Sequence, residues 1–335
     1  MKFLFHTHLA FDYPQEIDGL AGAQPEAASD DASFRRYFRV ASAHASYVVM
    51  DAPPEHEDCK PFIKVAGYLE AMQLNAPRVL EANLDDGFLL LTDLGTAQYL
   101  ERLQDDAASA AGLYDDAMTA LALLQRRGAV YQSNLPPYDV ELLSFELSLF
   151  WDWLCKHHLQ IEFDDSDEEN WQQLCDLLVT SALDQPQVFV HRDYHSRNLM
   201  VCSDRNPGIL DFQDAVEGPL TYDLVSLLED SYIQWPRQQI TAWALSFYTM
   251  LDVSIQQRVT KEQFLRSFEL MGVQRHLKVA GIFARLNHRD GKPGYMADIP
   301  RTLSYIIEVG PNYRELDFVV NLINERCLPA LQRQS

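Results

Sequence analysis

Three oxygen-bearing side chains in one short stretch set out the chemistry available to this chain. They are Asp193, Asn198 five residues later and Asp211 thirteen beyond that, within VFVHRDYHSRNLMVCSDRNPGILDFQD (188–214). A carboxylate able to take a hydroxyl proton, followed by an amide and a second carboxylate suited to a hard divalent cation, is the set that phosphoryl transfer from ATP requires. Asp193 is the expected catalytic base. Asn198 and Asp211 are the expected ligands for magnesium. The loop from 193 to 198 lets the base face the acceptor while the amide turns to the metal, and the hairpin from 198 to 211 returns the second ligand beside the first. Read individually, Asp193 and Asn198 are also ordinary turn residues and Asp211 an ordinary strand-end residue.

Short apolar runs must position these groups: Val188 to Val190, Leu199 to Val201, and Ile209 with Leu210. Upstream, AASDDASFRRYFRV (27–40) predicts two strands around a turn of Ser29, Asp30, Asp31 and Ser33, where a Gly-rich phosphate loop would otherwise stand. The Ser33 hydroxyl and nearby amides would face ATP, with Arg35, Arg36 and Arg39 adding positive charge. A plain hairpin with solvated arginines is the competing reading. The next strand, SYVVMDAPPEHED, offers Val49, Met50 and Asp51 but no Lys for the phosphates, so Arg36 or Arg39 becomes the candidate cation. Lys60 and Lys64 fall later, on a helix. Glu57 and Asp58 read as acids complementing the start of that helix, or as partners of the missing Lys.

Phe62, Val65, Ala66, Leu69 and Met72 have helical spacing, and Arg78–Leu80 with Gly87–Leu91 read as a strand pair. Beyond Thr96 the pattern turns helical. Leu113, Ala117, Leu121 and Leu124 make one stripe ending at Gly128, and Val140 to His157 predicts a second, thick helix. The run EFDDSDEEN (162–170) reads as a solvated loop capping a helix from Trp171, since it lacks the central Gly of a calcium loop. His157 and His158 read as surface residues. Arg275, His276, Lys278, Arg285, His288, Arg289 and Lys292 form the one markedly basic patch, to be read either as an attractor for an acidic substrate or as helix-surface cations.

Longer strings carry a resemblance. Position 195 is His where protein kinases acting on Ser or Thr usually have Lys, and AVEGPLTYDLVSLLED follows Asp211 with no Ala-Pro-Glu segment. With ASFRRYFRV, VVMDAPPEHED, GFLLLTDLG and QRHLKVAGIFARLNHRDGKPGYMADIPRTLSYI, the chain resembles the aminoglycoside phosphotransferase family from about Ser29 to Ile323. Within that family it is similar to a bacterial subgroup holding anomeric kinases of the amino sugars N-acetylmuramate and N-acetylglucosamine, in cell-wall recycling. The resemblance implies an α+β, bilobal, protein-kinase-like fold. Residues 1–95 would form a small nucleotide-binding β-sheet lobe, and 96–335 a larger, mainly helical catalytic and substrate lobe. It implies a hinge at Thr92, Asp93 and Leu94 that receives adenine, and an Asp223 that steadies the catalytic loop through backbone hydrogen bonds, against a simple helix-cap role. Asp214 and Glu217 would face the sugar or lie on the surface. Another small hydroxyl acceptor (an aminoglycoside, amino alcohol or other sugar) and a non-catalytic nucleotide-binding regulator remain the alternatives.

Composition narrows the partners. The chain has 335 residues, enough for two lobes, and a net charge of −22, which excludes an electrostatic footprint for nucleic acid or anionic membrane. Its five scattered cysteines suit a reducing compartment. No run reaches membrane-spanning length, and MKFLFHTHLAFDY lacks a signal-peptide core, so the cytoplasm is expected; the sequence leaves the oligomeric state open, with a monomer favoured.

Overall fold

The structure, a computed structural model, describes residues 25–30, 34–41 and 45–334. The expectations for the stretch before position 25 and for Asp31, Ala32 and Ser33 lie outside the described residues. One compact unit comprises the described residues up to Ala97 together with Met200–Asp214. The other comprises Gln98–Leu199 and the described residues from Ala215 onward.

The first unit is framed by a five-stranded antiparallel sheet in the order β1-β2-β3-β5-β4. Its strands are β1 (Glu26–Asp30), β2 (Arg36–Ala41), β3 (Ser46–Asp51), β4 (Val79–Asn83) and β5 (Phe88–Thr92). β5 lies between β3 and β4, and its Leu89, Leu90 and Leu91 are buried on both faces of the sheet. Each such leucine contributes about 1.5–3 kcal/mol by leaving water. The turn into β5 depends on Gly87, at φ +77°, where a Cβ would stand 2.0 Å from the carbonyl oxygen of Ala52. Helix α1 (Lys60–Ala71) has Pro61 in its first turn and buries Phe62, Val65, Ala66 and Leu69, the stripe that its spacing predicts.

The second unit is mainly helical. It starts with α2 (Tyr99–Asp105), α3 (Ala110–Gly128) and α4 (Val140–Leu149). The thick helix expected to His157 does continue from α4, but as a π-helical segment, Phe150–His158. Helix α5 (Asp165–Leu183) corrects the reading of the acidic run. Asp164 and Asp167 form a reciprocal capping box, so the helix starts six residues before Trp171, with Asp165, Asp167 and Glu168 on its positive end. Strand β6 (Gln187–Val190) follows, and the chain then returns to the first unit through the short pair β7 (Leu199–Met200) and β8 (Gly208–Ile209). That segment is tied in by Val201 N–H donating to Ala97 O (2.7 Å), by Ile209 N–H donating to Asn75 O (2.7 Å) and by Phe212 packing on Phe62 (4.7 Å between ring centres).

Strand β9 (Val216–Pro219) pairs with β6, and α6 (Tyr222–Leu228) leaves it. After α7 (Arg237–Met250) and α8 (Val253–Gln256) comes α9 (Lys261–Asp290), thirty residues long, around which α4, α5, α6, α7 and α10 (Ile299–Val309) pack. A Thr260–Gln263 capping box starts α9, and Gly291 at φ +65° ends it. Gly281 permits the closest crossing, since a Cβ there would lie 2.2 Å from the backbone carbon of Leu149. The middle of α9 is buried nearly all round, and this divides the expected basic patch. Arg275, His276 and Lys278 are core residues, whereas His288 and Arg289 are exposed.

Candidate active site

In the second unit the site is built on the loop leaving β6. Val188, Phe189 and Val190 are buried and fix where the loop begins, and Tyr194, fully buried, donates its hydroxyl to Ala117 O of α3 (2.9 Å). His195 N–H donates to Asp193 O (3.0 Å) and Asn198 N–H to His195 O (2.9 Å), giving two successive tight turns. The Asn198 amide donates to Asp193 O (3.0 Å), so the loop itself sets that amide's orientation. Asp193 and Asn198 are therefore brought together. Arg192 sits at φ +77°, in the left-handed region that costs a non-glycine residue of order 1 kcal/mol, and so needs restraint.

That restraint comes from Asp223. Its two carboxylate oxygens accept the N–H groups of His191 (2.6 Å) and Arg192 (2.9 Å), the role that the family resemblance implies. Burial pushes this carboxyl up to about 7 against the pull of the two N–H donors. Asp223→Asn keeps the volume but turns an NH2 toward one of those donors. It is expected to lower kcat by about 10- to 100-fold with a smaller change in nucleotide affinity, because one of about two charge-assisted bonds worth 1.5–3 kcal/mol is lost under Asp193. Steady-state kinetics beside an ADP titration checks this. An equal loss in both would mean general unfolding of the site.

Burial by itself would raise the Asp193 carboxyl, but the charges of Lys278, His195, Arg192 and His191 overcome it and hold the group below its ordinary value. Lys278 owes its place to buried Glu146. Its ammonium lies 2.9 Å from Glu146 Oε1 and donates to the Tyr222 hydroxyl (2.7 Å). Glu146 also accepts Arg192 Nη2 (2.5 Å), Gln274 Nε2 (3.2 Å) and a close bond from the Tyr138 hydroxyl. Sequence reading left Glu146 out because nothing in the periodicity of α4 distinguishes a buried acid from an exposed one.

The first unit holds the remaining groups. Asp211 also occupies the left-handed region, at φ +61°, and its Oδ1 accepts Gln213 Nε2 (2.9 Å). Beside it stands Arg35, which the sequence offers only as added positive charge near the phosphates, with Arg36 or Arg39 as the candidate for the missing Lys. Arg35 Nη2 is 3.8 Å from Asp211 Oδ1, and Arg35 Nε is 3.7 Å from Glu57 Oε2, with the arginine side chain only 10% exposed. Glu57 does not serve the helix start: it accepts Phe34 N–H (3.1 Å), and Asp58 caps the first turn through Lys60 N–H (2.9 Å). Arg36 points to Asp51 across the sheet, in a close pair, with its side chain 58% exposed. Arg39 forks onto Asp93 (2.6 and 3.1 Å) and reaches Gly95 O (2.8 Å), and Ser46 Oγ also donates to Asp93 (2.6 Å). Burial would raise the Asp93 carboxyl, but Arg39 and Ser46 hold it low. Thr92 Oγ1 accepts Arg78 N–H (2.9 Å), and Thr92 and Leu94 line a cavity of about 340 Å³ with Asn75, Ala76 and Arg205. Each group taken by itself has donor chemistry that suits magnesium, a carboxylate at Asp211 and an amide oxygen at Asn198, both hard ligands.

A model of the phosphotransferase enzyme family matches residues 25–250. The chain belongs to this family. Among its relatives, the N-acetylmuramate/N-acetylglucosamine kinase of Pseudomonas aeruginosa is 50% identical over 281 residues, 83% of this chain and 81% of that protein. The protein of the same name from Pseudomonas putida is 46% identical over 300 residues, 89% of this chain and 87% of that one. Among solved structures, an ADP-bound aminoglycoside phosphotransferase superposes with a TM-score of 0.55 at 15% identity, covering 87% of this chain and 94% of that one. This phosphotransferase therefore has the protein-kinase-like fold of its family: a small antiparallel sheet and a mainly helical remainder.

Proposed function

We propose that this phosphotransferase uses ATP and magnesium to phosphorylate the anomeric hydroxyl of N-acetylmuramate and N-acetylglucosamine, returning cell-wall sugars to metabolism in the cytoplasm. The observation that carries the acceptor is the 50% identity to a kinase named for these two sugars, over most of both chains. Residues 1–95 serve nucleotide binding, and residues 96–335 catalysis and acceptor binding. Asp193, held ionised by its cationic surroundings, orients the sugar hydroxyl and takes its proton. A weak base suffices, because in a loose transition state the proton leaves late. Asn198 and Asp211 would hold magnesium, which would supply positive charge against the charge developing on the phosphoryl groups. Arg35, anchored by Glu57 beside Asp211, takes the place of the strand lysine toward the phosphates. Thr92, Asp93 and Leu94 line the adenine side, and Arg39 acts there through Asp93. Among the described residues no helix is long and apolar enough to cross a membrane.

The test is ATP consumption with magnesium across N-acetylmuramate, N-acetylglucosamine, glucose, kanamycin and choline, with phosphorus NMR on the product. A sugar 1-phosphate from both N-acetyl sugars is the expected result. Turnover only of kanamycin or choline would sink the acceptor assignment and leave the phosphotransferase.

A further inference from the structure

The loop that carries Asp193 also presents a cation that the mechanism above does not use. Arg197, between Ser196 and Asn198, is exposed, and its guanidinium carbon lies 4.3 Å from the ring centre of Tyr232 and 6.0 Å from that of Tyr295. Among the described residues no carboxylate lies within ion-pairing distance of it, although the chain carries 49 acidic residues against 27 basic ones. The other arginines near the site contrast with it: Arg35, Arg36, Arg39 and Arg192 each face an acid. In so acidic a protein, a cation placed on aromatic faces instead of on a carboxylate keeps its charge for an outside anion.

The mounting is rigid. Asp230 Oδ2 accepts Ser196 N–H (3.0 Å) and, closely, the Ser196 hydroxyl, while Asp230 Oδ1 accepts Tyr232 N–H (2.9 Å). One carboxylate thus ties the residue before Arg197 to the ring on which Arg197 rests. Tyr232 also meets His195 edge-on (5.6 Å), and Tyr295 stacks on Phe283 of α9 (5.3 Å). Arg197 stands four residues after Asp193 on one loop folded by two tight turns, and this shared loop is the ground for assigning its anion to the small acceptor whose hydroxyl Asp193 orients.

We propose that Arg197 is a specificity-determining residue, pairing with a carboxylate on the acceptor while Tyr232 and Tyr295 support the guanidinium. The inference rests on the acceptor class proposed above. N-acetylmuramate carries a lactyl carboxylate that N-acetylglucosamine lacks, so the two sugars form an internal comparison. The expected effect is a change in preference rather than a uniform loss. In Arg197→Gln the ratio of kcat/KM for N-acetylmuramate to that for N-acetylglucosamine falls about 30-fold, as loss of one charge-assisted pair implies. Arg197→Lys, which keeps the charge but not the planar fork, recovers part of the ratio.

The full chain is assayed with both sugars in wild type and both variants, with calorimetric titration of each sugar and thermal melting alongside. The pairing also predicts that the fall is carried by KM and by the titrated affinity for N-acetylmuramate, not by kcat. Equal losses on both sugars in a folded variant, or an unchanged ratio, would overturn the role of Arg197. A wild-type enzyme that turns over neither sugar would instead remove the acceptor reading, and this inference with it. The wild-type measurement therefore separates the two failures.

Discussion

Asp193→Asn is expected to lower kcat by about 10³-fold, the middle of the range for removing a positioned proton acceptor, while ADP affinity changes less than about threefold. The side chain is replaced by one of equal size, and the contacts that shape the loop come from the backbone of residue 193. Its N–H donates to His191 Nδ1 (3.2 Å), and its carbonyl accepts His195 N–H and the Asn198 amide. All three survive the substitution. What disappears is the charge that Lys278, His195, Arg192 and His191 keep ionised. Because that carboxyl is held below its ordinary value, the acid limb of the kcat profile assigned to it lies below the ordinary aspartate range, apart from the fall below neutrality expected as Asp223, pushed up to about 7, takes up a proton. Rapid-quench single turnovers beside ADP titrations check the first claim, and a kcat profile checks the second. Residual turnover above about a tenth of wild type would remove Asp193 from the role of base.

The contrast between what could and could not be read in the sequence has a physical origin. Phosphoryl transfer demands a base and hard metal ligands at fixed offsets along one loop and hairpin, so Asp193, Asn198 and Asp211, within nineteen residues, are candidates for these roles by type and spacing. The small sheet and α1 were legible because period-2 and period-3.6 patterns are local. The placement of Arg35 beside Asp211 was not, because Glu57 is twenty-two residues from it in sequence and Asp211 one hundred and seventy-six, and no periodicity links them. The patch on α9 misled for a related reason: charge in a string of letters does not say whether a counter-charge waits in the core. Glu146 on α4 supplies it for Lys278, while His276 stacks on Tyr305 (4.7 Å) and bonds Glu229 O (3.0 Å). The available signal was the burial of α9 itself, whose apolar residues from Leu270 to Ala284 are spread around the helix instead of along one stripe. The acidic run at 162–170 reads as a loop in sequence because a loop and a capped first turn, both rich in Asp and Glu, differ only in the capping box that the structure shows.

Arg35→Ala is expected to weaken binding of magnesium–ADP by about 30- to 100-fold and to lower kcat/KM for ATP at least as much. A 100-fold loss corresponds to about 2.7 kcal/mol, within the 1.5–3 kcal/mol of a hydrogen bond to a charged group. The strand that would carry a lysine lacks one: β3 presents Val49, Met50 and Asp51, and Arg36, the neighbour of Arg35, is turned to Asp51. Arg39 is committed to Asp93 through two bonds and to Gly95 O through a third, so moving it toward phosphate would break that cluster. Arg35 alone of the three lies beside Asp211, with Nη2 3.8 Å from Asp211 Oδ1 and Nε 3.7 Å from Glu57 Oε2. Glu57→Gln, which removes the anchor but not the cation, is expected to cost only about 5-fold, as one loose ion pair does. Arg35→Lys should recover part of the loss, since the charge remains and the fork does not. The decisive comparison is nucleotide affinity in Arg35→Ala, Arg36→Ala and Arg39→Ala measured side by side by calorimetry. If Arg35→Ala stays within about threefold of wild type while either of the others loses tenfold or more, the phosphate cation is one of those two, and the pairing of Arg35 with Glu57 serves only to fasten the start of β2 to the approach of α1.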